Sequence, residues 1–113
     1  MDKKTTVYQL KEKVRKFCDE RNWDNHHNAK DLAIGIITEA GELLEIFRFW
    51  SREKVDQMFE DKKKKEEITG ELIDVLWFIL RLSQKYNIDL TQGLEKSIKK
   101  NTKRFPTEEY KKR

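Results

Sequence analysis

Apolar residues return at helical spacing along most of the chain, and no stretch alternates convincingly enough to mark a strand. Val7, Leu10, Val14 and Phe17 make the first stripe, which predicts a helix over residues 7 to about 21 with Thr5 or Thr6 as its N-cap. A polar loop follows at 22–28, with Trp23 inside it, and a second helix is predicted from 29 to about 50. Leu32, Ile36, Ala40, Leu43 and Phe47 mark its buried face. Ser51 can cap a short amphipathic segment holding Val55, Met58 and Phe59, and 61–65 reads as a linker. The third helix, roughly 66–85, carries Ile68, Leu72, Val75, Ile79 and Leu82. Beyond the turn 86–89, a fourth runs from 90 to about 103, Pro106 marks its end, and the polar tail after it is expected to be loosely ordered. The expectation is one all-α domain over 1–113, a four-helix bundle.

Composition narrows this picture. Only 36% of residues are hydrophobic against 41% charged, so the core must be thin and the surface dense in charge. One proline and four glycines leave few breakers, which favours long helices. The net charge of +4 arises from 25 basic and 21 acidic residues, a mixed surface with no aromatic-interleaved basic stretch, so nucleic acid is not the expected partner. The lysines at 62–65 read as a solvated loop or helix start.

Cys18 is the single cysteine, which leaves no internal disulfide or thiolate zinc cluster; its expected role is packing in a reducing, cytoplasmic setting. His26 and His27 lack a third ligand at suitable spacing and read as loop residues. No apolar run approaches the roughly 18 residues of a membrane span, and the opening Met-Asp-Lys-Lys-Thr-Thr has no signal-peptide core. Trp50, Met58, Phe59, Trp77 and Leu80 fall off the main stripes, which predicts self-association.

The chemistry concentrates in Thr-Glu-Ala-Gly-Glu-Leu-Leu-Glu, residues 38–45. At about 100° per residue, Glu39 falls inside the apolar arc of the second helix, Glu42 about 60° further round on its edge, and Glu45 faces away. The third helix repeats the arrangement, with Glu71 in the arc and Asp74 about 60° beyond it. A lone E-x-x-E is most simply a solvated face, but two such pairs oriented alike are a stronger signal. Ionised carboxylates against a core need compensation. Arg48, Arg52 and Arg81 sit off the stripes or at helix ends, so neither central helix is expected to offer an inward cation. Oxygen donors from two facing helices suit Mg²⁺ or Mn²⁺. Gly41, costly inside a helix, would be tolerated where another backbone or a substrate comes close.

Glu39-Ala-Gly-Glu42 followed by Glu71-Leu-Ile-Asp74 resembles the E-x-x-E…E-x-x-D signature of the MazG-like all-α nucleoside triphosphate pyrophosphohydrolases, closest to the small dCTP pyrophosphatase branch. Glu-Arg-Asn-Trp-Asp at 20–24, Arg-Phe-Trp at 48–50, Asp-Val-Leu at 74–76 and Asn-Thr-Lys-Arg-Phe-Pro at 101–106 extend the likeness over about 17–106. The resemblance implies a Mg²⁺-dependent enzyme that cleaves a (deoxy)nucleoside triphosphate to the monophosphate and pyrophosphate in nucleotide-pool house-cleaning. It implies Glu39, Glu42, Glu71 and Asp74 as metal ligands and catalytic residues. Asn101 and Arg104 would hold phosphates, and Trp23 and Phe49 would contact the base.

Ser97 stands where the family often has a lysine, with Lys96 and Lys100 beside it as substitutes, and Gly70 replaces a frequent acidic residue. A homodimer or homotetramer with active sites shared between chains is also implied. The rivals are a non-enzymatic helical interaction protein and the related phosphoribosyl-ATP pyrophosphohydrolase.

Overall fold

The first five α-helices each begin on a side chain that accepts from a free backbone N–H. In the computed structural model, which describes residues 1–111, Thr6 Oγ1 accepts from the Gln9 N–H at 3.1 Å and the Gln9 side chain accepts from the Thr6 N–H at 2.8 Å, opening α1 (Val7–Glu20). A single 3-10 turn, Trp23–Asn25, follows Asn22, whose φ of 53° is a left-handed conformation that asparagine tolerates. Asn28 and Asp31 cap each other reciprocally at the start of α2 (Ala29–Phe47). Ser51 caps α3 (Arg52–Met58), as expected, and Asp89 caps α5 (Leu90–Arg104).

Three boundaries differ from the pattern reading. The lysines at 62–65 are no linker: the Asp61 carboxylate accepts from the Lys63 N–H at 3.0 Å, and α4 (Lys62–Lys85) starts there. α2 ends at Phe47, three residues short of Trp50. The tail after Pro106 forms a further short helix, α6 (Thr107–Lys111), with the Phe105 and Tyr110 rings in edge-to-face contact at 5.6 Å; Lys112 and Arg113 lie outside the described residues. The all-helical architecture itself is the one expected, and no strand occurs among the described residues.

α4 packs along both α2 and α1, and two separate cores result. Val14, Cys18 and Leu80 form one, flanked by Leu10, Trp23, Leu76, Trp77 and Leu90. Ile46, Met58 and Ile68 form the other, flanked by Leu43 and Phe47. A helix with two neighbours buries two faces, so a single stripe on the wheel misplaces residues. Leu80 and Met58, expected outside the core, are buried, and Trp77 packs against it. Leu72 and Ala40, expected inside, are exposed, and so are Val7 and Phe17. An exposed apolar remainder does exist, but it comprises Ile34, Ile37 and Leu44 on α2, Leu72 and Ile73 on α4, and Leu94 and Ile98 on α5, besides Trp50 and Phe59. No residue of α5 is buried.

The largest departure is Arg81. Its side chain is fully buried, ion-paired with Asp24 and donating to the Gln84 side chain at 2.7 Å. A central helix therefore does carry an inward cation, contrary to the wheel. It is engaged with the 3-10 turn and forms no ion pair with the carboxylates of the E-x-x-E and E-x-x-D segments.

Candidate metal centre

The α2–α4 contact brings Glu39, Glu42 and Glu71 together. Glu39 and Glu42 stand one turn apart on α2, a spacing that places both side chains on one side of the helix, and Glu71 meets them from α4. One carboxylate oxygen from each lies within 4.8 Å of the other two. Glu39 and Glu71 are half-buried and Glu42 is exposed. Asp74, the fourth expected ligand, is exposed and lies outside this tight group, while Glu45 is exposed as predicted.

No described side chain neutralises the cluster. Among the described residues, no lysine, arginine or histidine forms an ion pair with any of the four acidic side chains. Oε2 of Glu39 and Oε2 of Glu71 are buried without a hydrogen-bond partner. The electrostatic consequence is visible in their acidities. Glu39 is pushed above its ordinary pKa, first by a hydrogen bond that its protonated form shares with Glu42, then by desolvation and by the charges of Glu42, Asp74 and Glu71. Glu71 is pushed up chiefly by desolvation, then by Glu42 and Asp74. Orphaned buried oxygens in an all-carboxylate donor set fit a hard divalent cation, which supplies the missing charge and takes up the free lone pairs at once. Asp74 contributes to the same field at longer range.

Two glycines border the site and differ sharply. A Cβ on Gly35, one turn before Glu39, would fall 2.5–2.7 Å from the Phe78 ring. A Cβ on Gly41 would meet nothing within 4 Å, so close approach by the protein's own backbone, the reading offered for it above, does not explain that glycine. The Ile-Gly-Ile-Ile run at 34–37 held the signal for the first of these, since a glycine costs stability inside a helix unless a neighbour needs its space.

The residues assigned to substrate are dispersed. Trp23 is half-buried, with edge-to-face contacts to Phe17 at 5.5 Å, His27 at 5.6 Å and Trp77 at 6.5 Å, so its indole is not the exposed group that a polar loop suggests. Phe49 is 81% exposed, with the Arg48 guanidinium 4.6 Å above its ring. Lys96, Lys100 and Arg104 line an open groove on α5 together with Lys99 and Lys103. Asn101 is exposed on the same helix. No described ion pair joins α5 to the carboxylate cluster. The pairing of Arg81 with Asp24 was invisible to the wheel because its partner lies 57 positions away.

The chain resembles known proteins in both sequence and structure. It is 27% identical over 101 residues to dCTP pyrophosphatase 1 of Mus musculus and 24% identical over the same length to that of Homo sapiens. In each case 89% of this chain is aligned with 59% of the relative, so the chain spans about three-fifths of the length of these curated relatives. A crystal structure of a pyrophosphatase from Archaeoglobus fulgidus superposes with a TM-score of 0.82 at 32% identity, covering 88% of this chain and 92% of that one. The model of the MazG-like family matches residues 34–113, a span that takes in both acidic pairs. The chain belongs to the MazG-like family.

Proposed function

We propose that this protein is a Mg²⁺-dependent nucleoside triphosphate pyrophosphohydrolase, converting a (deoxy)nucleoside triphosphate to the monophosphate and pyrophosphate. The observation that carries the reading is the pair of buried, unpartnered oxygens of Glu39 and Glu71 facing each other across α2 and α4 with Glu42 alongside. Similarity to proteins named dCTP pyrophosphatase 1 and pyrophosphatase supports the reaction class. A pyrimidine such as dCTP is the first substrate to try, and house-cleaning of the nucleotide pool in the cytoplasm is the role that suits it. No helix among the described residues is long and apolar enough to cross a membrane.

Glu39, Glu42 and Glu71 would hold the cation, with Asp74 completing the set; Mn²⁺ would satisfy the same oxygens. When bound, it offsets the charge of the triphosphate and acidifies a bound water. Without it the cluster would repel an anionic substrate. One carboxylate of the cluster would take the proton of the attacking water. Lys96, Lys100, Asn101 and Arg104 would meet the phosphates, and Phe49, with its ring open to solvent, the base. As no described ion pair joins α5 to the cluster, a homodimer or homotetramer would let these groups act at a partner's site.

The test is pyrophosphate release from a panel of nucleoside triphosphates and phosphoribosyl-ATP, with Mg²⁺ and with chelator. Mg²⁺-dependent release from a free triphosphate supports the reading. Turnover of phosphoribosyl-ATP alone would transfer the assignment to that activity, and no turnover at all would leave a helical interaction protein.

A further inference from the structure

Arg81 is an expensive residue. A guanidinium withdrawn from water costs several kcal/mol unless well compensated, and here its Nε has no partner. A leucine or methionine would fill the same place in the core at less cost. Besides Gln84 on its own helix, its hydrogen-bond partner among the described residues is Asp24, in the turn between α1 and α2. One helical turn further along α4, the Lys85 ammonium donates to the backbone carbonyls of Asp24, at 2.7 Å, and of His27. Two cations of α4 thus clamp the same turn, Arg81 through the Asp24 side chain and Lys85 through the backbone. What they hold down is Trp23 and His27, whose rings touch at 5.6 Å.

That turn is linked to the acidic cluster by side-chain contact. The Trp23 ring lies 6.5 Å from Trp77, Trp77 lies 5.2 Å from Phe78, and Phe78 fills the space above Gly35, one turn from Glu39. Going the other way from the carboxylates, α2 and α4 close on the packed Ile46, Met58 and Ile68 core. The aromatic side is thus the one that the clamped turn shapes.

We propose that Arg81, acting through Asp24, is a positioning residue for nucleotide binding: it fixes the turn carrying Trp23 and His27, which shapes the aromatic wall beside the carboxylates. The proposal rests on the pyrophosphohydrolase reading. Arg81→Lys keeps a cation but cannot span the same fork of donors. Asp24→Asn removes the charge from the more exposed partner, whose side chain is 60% accessible, and so puts folding at less risk. Both variants, with Lys85→Gln as a third, would be assayed for pyrophosphate release over a range of nucleotide concentrations. In parallel, Mg²⁺ alone would be titrated by thermal shift.

The expected result is a KM raised about 10-fold or more with kcat within about 3-fold, the signature of lost substrate binding, and an unchanged response to Mg²⁺ alone. Unchanged KM in folded, active variants overturns the proposal. A fall in kcat together with a weakened Mg²⁺ response also overturns it, because that pattern belongs to general damage of the fold. If the wild-type protein releases no pyrophosphate from any nucleotide, the underlying reading fails first and the positioning role falls with it.

Discussion

The ring of Phe78 occupies the space in which a side chain on Gly35 would stand, 2.5 Å from the nearest point. This contact sets how closely α2 and α4 approach just where their carboxylates meet. Gly35→Ala gains helix propensity but must displace the ring, and overpacking of this kind typically costs about 1–3 kcal/mol. Net destabilisation in urea unfolding is expected. Gly41→Ala, entering open space on the same helix, is expected to raise stability by up to about 1 kcal/mol. If activity falls in that variant while stability rises, the substrate approaches Gly41.

Removing charge from the acidic cluster should separate stability from activity. Glu39 and Glu71 have folded-state pKa values above their unfolded ones, so their contribution to stability is fully present at low pH and is lost as pH rises through the folded values. Melting temperature in chelator should therefore be higher for Glu71→Gln than for the wild type at pH 7. Mg²⁺ should raise the melting temperature of the wild type and shift the variant less. Pyrophosphate release by the variant should fall by more than about 100-fold, beyond the range typical of a metal's outer-sphere partners.

Strong acid should loosen the clamp. Asp24 is held below its ordinary pKa chiefly by its hydrogen bond to Arg81, so its contribution is present above the unfolded value, near pH 4, and is lost as pH falls through the folded one. Asp24→Asn should flatten that part of the pH–stability profile. Because the asparagine keeps an amide oxygen that can accept from Arg81, the variant should cost about 1 kcal/mol or less at neutral pH.

Cys18 should be inert while the protein is folded. Burial raises its thiol pKa, and the thiolate is the reactive form. Alkylation at pH 8 should proceed at the rate of unfolding and accelerate sharply in urea. The raised pKa also means that stability is lost as pH rises through the folded thiol value, a contribution that Cys18→Ser would remove from alkaline melts.

Much of this was legible in the order of residues. Glu39, Glu42 and Glu71 were placed by angular arithmetic on two helices, because a cluster made of i, i+3 pairs is a local property repeated twice. Glu45 was set aside on the same grounds. Leu80 and Arg81 were misplaced, since a wheel assumes one buried face and α4 has two, and Met58 of α3 because its partners Ile46 and Ile68 lie on other helices. Trp23 was misjudged through its polar neighbours in sequence, whereas Phe17 and Trp77 cover it in space. The lysines at 62–65 read as a loop or a helix start, and Asp61 before them, an ordinary N-cap, makes them the start of α4.

α4 is one continuous helix with Glu71 near its middle and Leu80 and Arg81 two to three turns on, packed against α1 and the 22–28 turn. Any slide of the helix that draws Glu71 toward Glu39 must carry Leu80 past Val14 and Cys18 and pull on Asp24. The rod thus makes the indoles at its far end a built-in gauge: their fluorescence should register an ion arriving among carboxylates that they never touch.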